Sequence, residues 1–332
     1  MVRVLGVILV YAGLLVPGFS ETPSAPHGFL LVANKGDHTL GLIDPDSMRQ
    51  TATIAEDGVT GHEVAASPDG RRAYVPIYGD SGVGLPGTDG RTLDVIDLGT
   101  RKVLQTIDFG HGVRPHCAVF STKDGMLYVT AELDKAILVI DPQTLKVVGS
   151  IPTSQAESHM LAISPDGRYG YTANVGPGTV SVLDLVARKT VTVIPVAAHV
   201  QRISVSPDGR WVFTSDVNQP GLAVIDSRTN KLDRWITLAG TGYGTAPTAD
   251  GKWLLVAMPS ANKVAVVELA TLQVARTIDV PSAPQEVLVR PDGQVAYVSC
   301  DRSAKVAAIR MRDWSVQLVE AGSVADGLAW AR

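Results

Sequence analysis

Imidazole side chains recur at one position of an internal repeat in this chain. His62, His116 and His159 stand at equivalent places in three consecutive repeats, although the whole sequence holds only seven histidines. Neutral imidazole binds zinc, copper, iron and nickel, and histidine also transfers protons near neutral pH. We therefore predict that these residues bind a metal or cofactor or act in acid–base catalysis. The alternative is that they only bind ordered water and satisfy backbone groups at a channel mouth.

The same position is polar in all seven repeats. The equivalent residues of the other four repeats are Gln201, Tyr243, Gln285 and Asp326. Because the innermost strands of a ring of repeats line its central channel, these side chains are predicted to meet near the channel mouth and contact a bound cofactor. Charged residues that could join them there are Glu63, Arg114, Glu132, Arg202 and Asp301.

The second repeat carries an insertion of about ten residues. It lies within residues 78–91, which are rich in glycine and include Asp80 and Asp89. Glycine-rich loops can hold phosphates, but this one lacks the Lys-Ser/Thr pair of a phosphate-binding loop and does not lead into a helix. We expect a role in binding or as a lid, with Asp80 and Asp89 facing the ligand. A tolerated surface insertion is the alternative.

The elements that must position these residues are short strands with a period of about 42 residues. Turns of the Asp-Gly type end at Gly70, Gly125, Gly167, Gly209, Gly251 and Gly293. Seven residues close a strand at a second register: Asp44, Asp97, Asp141, Asp184, Asp226, Glu268 and Arg310. The aspartates of both registers are predicted to form turns. Each unit has four strand segments, and an antiparallel sheet of this size must stack on neighbours to bury its faces, which predicts an all-β fold.

A tetrapeptide repeats at a third register and is similar to the motif of a known family. Its seven copies are Leu31–Asn34, Tyr74–Ile77, Tyr128–Ala131, Tyr171–Asn174, Phe213–Asp216, Leu255–Met258 and Tyr297–Cys300. They resemble the motif of the YVTN-repeat family, and the resemblance covers the chain after its first 20 residues. It implies a seven-bladed β-propeller of four-stranded antiparallel blades.

The two ends of the chain are predicted to share one blade. Residues 327–330 match the first, innermost strand of a repeat, after which the chain stops. Residues 29–56 supply the second, third and fourth strands of a repeat that lacks a first. Pairing the two segments would close the ring.

The first 20 residues are predicted to be a cleaved signal peptide, which leaves residues 21–332 as a single propeller domain in the periplasm or outside the cell. Arg3 precedes an apolar stretch over residues 4–16, which is too short to span a bilayer stably, and small residues stand before the expected cleavage point at Ser20. An uncleaved membrane anchor is the alternative. Cys117 and Cys300 fall in distant repeats, so no disulfide is expected.

Composition narrows the classes of function. The chain is 45% hydrophobic and carries a net charge of −4. It is therefore neither a disordered protein nor a nucleic-acid binder, which would need a basic surface. We expect a monomer that binds a small ligand or a partner protein.

Two propeller families suggest what the site does. The repeats are similar to the haem-binding propeller of nitrite reductase, where histidines on one face meet a tetrapyrrole. This similarity implies binding of a tetrapyrrole-like cofactor. The chemistry of imidazole also predicts His62, His116 and His159 as ligands of a divalent metal. Lactonase-like and lyase propellers suggest instead an enzyme in which His62 or His159 transfers a proton and Arg114 or Arg202 stabilises an oxyanion. A protein-interaction scaffold is a third interpretation.

Overall fold

The chain folds into seven four-stranded antiparallel sheets, which confirms the predicted seven-bladed β-propeller. The computed structural model describes residues 28–332, so the predicted signal peptide lies outside the described residues. Twenty-eight strands and one short 3-10 helix, Asp301–Ser303, make up this part of the chain. No helix within it is long and apolar enough to cross a bilayer.

Each blade extends outward from an innermost strand at the channel to an outermost strand at the rim, with strands numbered along the chain. From the channel outward, blade 1 contains β28 (Ala325–Ala331), β1 (Phe29–Asn34), β2 (Thr39–Asp44) and β3 (Arg49–Ala55). Blade 2 contains β4 (Ala65–Ala66), β5 (Arg72–Gly79), β6 (Asp89–Asp97) and β7 (Lys102–Asp108). Blade 3 contains β8 (Pro115–Phe120), β9 (Leu127–Ala131), β10 (Ala136–Asp141) and β11 (Lys146–Pro152). Blade 4 contains β12 (Ser158–Ile163), β13 (Tyr169–Asn174), β14 (Thr179–Asp184) and β15 (Lys189–Pro195).

The remaining three blades follow the same order. Blade 5 contains β16 (Val200–Val205), β17 (Trp211–Asp216), β18 (Pro220–Asp226) and β19 (Lys231–Thr241). Blade 6 contains β20 (Thr245–Pro247), β21 (Trp253–Met258), β22 (Lys263–Glu268) and β23 (Gln273–Asp279). Blade 7 contains β24 (Pro284–Val289), β25 (Val295–Cys300), β26 (Lys305–Arg310) and β27 (Val316–Glu320).

The hydrophobic core lies between the blades. The two middle strands of a blade, such as β1 and β2, are buried along most of their length, whereas the outermost strand β3 is largely exposed. This explains why the middle strands are continuous apolar runs, since both of their faces pack on a neighbouring blade. One core cluster joins Ile137, Tyr171 and Val212 of three successive blades.

The Asp-Gly turns are held by local hydrogen bonds, as predicted. In blade 2 the Ser67 hydroxyl donates to Asp69 over 2.6 Å and accepts the N–H of Arg72. Gly70 follows at φ +68°, a conformation that costs glycine little. The hydrogen bond from Ser67 lowers the pKa of Asp69. The strand-closing Asp97 likewise accepts the N–H of Thr100 over 2.6 Å.

The ring closes where the two ends of the chain pair. Strand β28 runs antiparallel to β1, with Leu30 opposite Trp330 and Val32 opposite Leu328. This pairing confirms the predicted shared blade. Both cysteines are buried free thiols, Cys117 in blade 3 and Cys300 in blade 7.

Candidate functional site

The ring position lies at the start of each innermost strand, on the face that also carries the loops between the second and third strands. In four blades the residue two places before the ring residue has a left-handed conformation with φ between +49° and +56°; these residues are Arg114, Glu157, Ala283 and Val324. This backbone turn leads the chain from the outermost strand of one blade into the innermost strand of the next.

The three predicted histidines come together. The ring centroids of His116 and His159 are 3.5 Å apart, and those of His62 and His116 are 5.3 Å apart. Tyr78, at the end of β5, packs against all three, with its centroid 4.8 Å from that of His62. We call these four residues the histidine cluster.

A buried carboxylate orients one of the imidazoles. Glu132, immediately after β9, bonds Nδ1 of His159 through Oε1 and accepts the Tyr78 hydroxyl through Oε2 over 2.9 Å. The side chains of Glu132 and His159 are 2% and 3% exposed, so this pair is desolvated. A carboxylate on one ring nitrogen fixes the orientation of the imidazole and leaves the other nitrogen to act. Nε2 of His159 lies 3.5 Å from Nε2 of Gln201.

The other two histidines are kept neutral by their surroundings. Burial lowers the pKa of His62 to about 3, helped by the nearby charge of Lys35. Burial also lowers the pKa of His116 well below its ordinary value. Nδ1 of His116 is buried and has no hydrogen-bond partner among the described residues. An unpaired buried nitrogen is costly, which makes it a candidate contact for a bound ligand or water.

A single bare metal ion does not fit this arrangement. Within residues 28–332 no group of three or more His, Cys, Asp or Glu side chains is placed to hold one ion. Nδ1 of His159 is already bonded to Glu132, and the rings of His116 and His159 lie one against the other. The three imidazoles therefore do not form a three-histidine metal site.

An arginine from blade 5 is bound by three carboxylates from other blades. Nη1 of Arg202 donates to Glu63 over 2.5 Å and to Glu286 over 2.7 Å, and Nη2 donates to Asp326 over 2.8 Å. We call these four residues the arginine cluster. The Arg202 side chain is 3% exposed, and the cluster crosses the channel from blade 5 to blades 2, 7 and 1.

The pKa values of the three carboxyl groups shift in different directions. Burial raises the pKa of Glu63 well above its usual range, and the nearby Glu286 and Asp326 raise it further. Burial also raises the pKa of Glu286, helped by the charge of Asp326. Burial acts on Asp326 in the same direction, but Arg202 and Lys35 outweigh it and its pKa is lowered. Arg202 therefore favours the ionised form of Asp326, whereas burial opposes ionisation of the two glutamates.

The other predicted residues fall into two groups. The ring of Tyr243 lies 5.1 Å from the Arg202 guanidinium, so Tyr243 packs beside the arginine cluster, of which Asp326 is a member. Gln285 instead bonds the carbonyl of Ala283 at 3.4 Å, and Asp301 begins the 3-10 helix.

The insertion of blade 2 lengthens β5 and β6 at the ends where they meet, and residues 80–88 form the loop between them. Asp80 accepts both the N–H and the hydroxyl of Thr88, at 2.6 and 2.8 Å, and so holds the loop together. Asp89 binds Nε of Arg114 at 2.6 Å, and Nη2 of Arg114 donates to the Leu85 carbonyl at 2.8 Å. Asp80 and Asp89 thus bind within or beside the loop, and Arg114 fastens it to blade 3.

Three residues of the site are not among the sequence predictions. Tyr78 bonds Glu132, Glu286 bonds Arg202, and Lys35 lies 3.4 Å from Asp326. Glu286 could have been found, because Glu63, Arg202 and Glu286 all directly follow a ring position. Tyr78 and Lys35 each directly follow a copy of the repeated tetrapeptide. The repeat pattern therefore also indicates this position as a second place where side chains of successive blades meet.

A large cleft of the described residues lies away from this site. It has a volume of about 740 Å³ and lies between blades 6 and 7 at the Asp-Gly turns of the opposite face. Trp253 and Arg310 are among its lining residues, and no residue of the ring is. The volume of a cleft alone therefore does not identify the channel face where the histidine and arginine clusters lie.

The fold and site define a seven-bladed propeller with clustered imidazoles on one channel face. Residues 128–248 match the family model described as "Cytochrome D1 heme domain". The hydrazine synthase of Kuenenia stuttgartiensis shares the fold with a TM-score of 0.72 at 20% identity, over 90% of this chain and 99% of that chain. A dihydro-heme d1 dehydrogenase, NirN, in complex with DHE, aligns with a TM-score of 0.66 at 17% identity, over 94% of this chain and 77% of that chain. No curated protein matches the sequence.

Proposed function

We propose that this chain is an exported propeller that binds a haem-type tetrapyrrole at the channel mouth through the histidine cluster. The observation that carries the proposal is the convergence of three imidazoles from blades 2, 3 and 4, one of which is oriented by a buried carboxylate. The match of residues 128–248 to the cytochrome D1 heme domain model supports the same class of ligand. We also propose that the chain belongs to the YVTN-repeat family, because the tetrapeptide of that family recurs in all seven repeats.

The residues present fit such a group. A haem-type group would need only one or two protein ligands, so it would not require the three-ligand group that is missing from the described residues. His159 is the candidate ligand, because Glu132 holds Nδ1 and leaves Nε2 as the donor atom. The unpaired Nδ1 of His116 and the neutral His62 would line the same face. When bound, the group would supply redox-active iron.

Titration with hemin, the iron complex of protoporphyrin, tests the proposal. The purified protein is expected to shift and sharpen the Soret band, with a spectrum of histidine-ligated iron. His159→Ala is expected to lose that spectrum and to bind hemin at least tenfold more weakly, since one coordination bond is lost.

His199→Ala is the matched control. His199 lies on the same face just before β16, but it is exposed and bonds Asn218 at 2.9 Å. It is expected to bind hemin like the wild type. A wild-type protein that leaves the hemin spectrum unchanged would refute the proposal, as would equal affinities of the His159→Ala and His199→Ala variants.

The Glu132–His159 pair also favours a second candidate function, acid–base catalysis on a small substrate. A carboxylate that fixes the tautomer of an imidazole is a common arrangement for a general base. The predicted oxyanion donors are less suited to it, because Arg114 is bonded to Asp89 and Leu85 and Arg202 to three carboxylates. A panel of lactones and esters tests it. Turnover that disappears in His159→Ala supports catalysis, and equal rates in both proteins exclude it.

The N-terminus of the expressed protein tests whether the chain is exported. Expression of the full sequence in a bacterial host is expected to yield periplasmic protein that begins at Glu21, as shown by N-terminal sequencing. Protein retained at the membrane with Met1 intact would support the anchor alternative.

A further inference from the structure

The cleft between blades 6 and 7 opens on the face opposite to the histidine cluster. Its volume of about 740 Å³ is typical of small-molecule sites. Similar clefts between blades 4 and 5 and between blades 7 and 1 have volumes of about 470 and 460 Å³. Clefts between blades therefore recur on this face, and the lining decides whether one of them is a site.

The floor of this cleft is aromatic and apolar. Trp253 of β21 and Met311, just after β26, pack on the core between blades 6 and 7, and both line the cleft. The ring of Trp314 meets that of Trp253 edge to face, with centroids 5.8 Å apart. The guanidinium of Arg276 lies 5.0 Å from the Trp314 centroid on the outer side of blade 6. Trp253 is therefore held in place yet only half-buried, so an aromatic ligand that stacks on it costs the protein little rotamer freedom.

The rim of the cleft departs from the repeat at one position. The strand-closing residue is acidic in six blades, but in blade 7 it is Arg310, which lines the cleft. In blade 5 the equivalent residue is Asp226, which pairs with two arginines. In blade 7, by contrast, Arg310 and Arg312 share one oxygen, Oδ2 of Asp313, at 3.5 and 3.3 Å. The exchange therefore reverses the sign of the charge at this edge of the cleft.

The other charges of the lining leave a positive surplus. Lys252 places its Nζ 5.0 Å from the Trp253 centroid, beside the aromatic floor. Asp250 accepts the N–H of Lys252 at 3.0 Å within its own turn, and Asp292 is paired with Arg290 at 2.7 Å. Within residues 28–332, the lining carries three cations against these two acids. A ligand with one negative charge would balance it.

We propose that this cleft binds a planar aromatic carboxylate, with its ring against Trp253 and its carboxylate at the rim formed by Lys252 and Arg310. Stacking would bury apolar area of both rings, and the carboxylate would accept hydrogen bonds from the two cations. The site goes beyond the proposed function. None of the described residues of the histidine cluster lines it, so binding here does not depend on a tetrapyrrole at the channel mouth.

Calorimetric titration with 2-naphthoate and with its uncharged amide, 2-naphthamide, tests the site. The wild type is expected to bind the carboxylate about tenfold more tightly than the amide, because only the carboxylate pairs with the cations. Arg310→Asp gives blade 7 the acid that most other blades carry, so the turn is expected to form. It is expected to weaken 2-naphthoate about tenfold, because an attraction becomes a repulsion, and to leave 2-naphthamide unchanged.

Two further variants separate the charge from the stacking. Lys252→Gln gives blade 6 the residue that blade 7 carries at the same position, Gln294. It is expected to weaken 2-naphthoate about threefold and to leave the amide unchanged. Trp253→Leu is expected to weaken both compounds about fivefold, because the stacked ring is lost.

Arg228→Asp is the matched control for Arg310→Asp. Arg228 lines the smaller cleft between blades 4 and 5, and blade 1 carries Asp46 at the equivalent position. The variant therefore makes the same change of charge at a tolerant turn, and it is expected to bind 2-naphthoate like the wild type. The proposal is overturned if the wild type binds neither compound or binds both equally, or if Arg310→Asp and Arg228→Asp have equal affinities for 2-naphthoate.

His159→Ala separates this site from the haem proposal. The variant is expected to bind 2-naphthoate like the wild type, because His159 lies on the opposite face. A protein that binds 2-naphthoate as described but leaves the hemin spectrum unchanged would refute the proposed function and support this site. Hemin binding without 2-naphthoate binding would do the reverse.

Discussion

At the scale of single residues, the site depends on charges that are buried but matched. Arg202 is the only cation that contacts Glu63 and Glu286 among the described residues, and it shares Asp326 with Lys35. Removing one partner of a buried ion pair is costly because the other charge is left without water or a partner. The arginine cluster therefore joins blade 5 to blades 1, 2 and 7 only while Arg202 is present.

We expect Arg202→Met to lower the free energy of unfolding by about 3–5 kcal/mol at pH 7, because Asp326 loses its main partner. Urea denaturation followed by circular dichroism measures the change. Arg234→Met is the control, since Arg234 pairs with Asp233 on the surface and its side chain is 56% exposed. That variant is expected to change stability by less than about 1 kcal/mol. Equal losses in the two variants would show that the cluster contributes no specific stability.

At the scale of elements, the segment that precedes His62 is held by the half-buried carboxylate of Glu56 and the buried carboxylate of Asp94. Glu56 accepts the N–H of Gly61 at 2.7 Å, and Asp94 of β6 accepts the N–H of Asp57 at 2.7 Å. Burial raises the pKa of Glu56 to about 7 and that of Asp94 to about 6. Oε1 of Glu56 is buried and has no partner among the described residues. These groups make the segment sensitive to pH.

The sign of that dependence follows from the raised pKa. Between pH 4.5 and about 7 the folded chain keeps a proton on Glu56 that the unfolded chain has lost, so stability falls as pH rises through this window. Glu56→Gln removes the titration and can still accept the Gly61 N–H. We expect it to be more stable than the wild type by about 2 kcal/mol at pH 8 and similar at pH 4. Urea midpoints at the two pH values measure this; parallel pH profiles of the two proteins would contradict it.

At the scale of the whole molecule, closure of the ring depends on a single strand. Strand β28 is the innermost strand of blade 1 and, within residues 28–332, pairs only with β1, yet Ala325, Leu328 and Ala331 are buried between blades 1, 2 and 7. Without it, blade 1 loses the strand that lines the channel, and the cores on both sides of this blade are opened.

Deletion of residues 328–332 is therefore expected to lower the melting temperature by about 10 °C or more. Deletion of Arg332 alone is the control, because it leaves the pairing of β1 with β28 intact. Differential scanning calorimetry of both proteins measures the effect. A melting temperature unchanged by the longer deletion would mean that closure is supplied by contacts other than this strand.

The sequence by itself determined the ring of blades and the place of the histidines. Strand segments, Asp-Gly turns and the tetrapeptide are local patterns, and repetition turns a local pattern into a global one because equivalent residues take equivalent places. This is why His62, His116 and His159 could be placed together, and why the closure of β1 on β28 could be predicted.

Only the tertiary structure decided which side chains meet across the channel. Arg202 gathers carboxylates from blades 2, 7 and 1, and the loop of blade 2 is fastened by Arg114 of blade 3. Such pairings depend on the width of the channel and on side-chain rotamers, which no repeat register specifies. The same distances put the ring of His116 against that of His159, an arrangement that does not form a three-histidine metal site among the described residues.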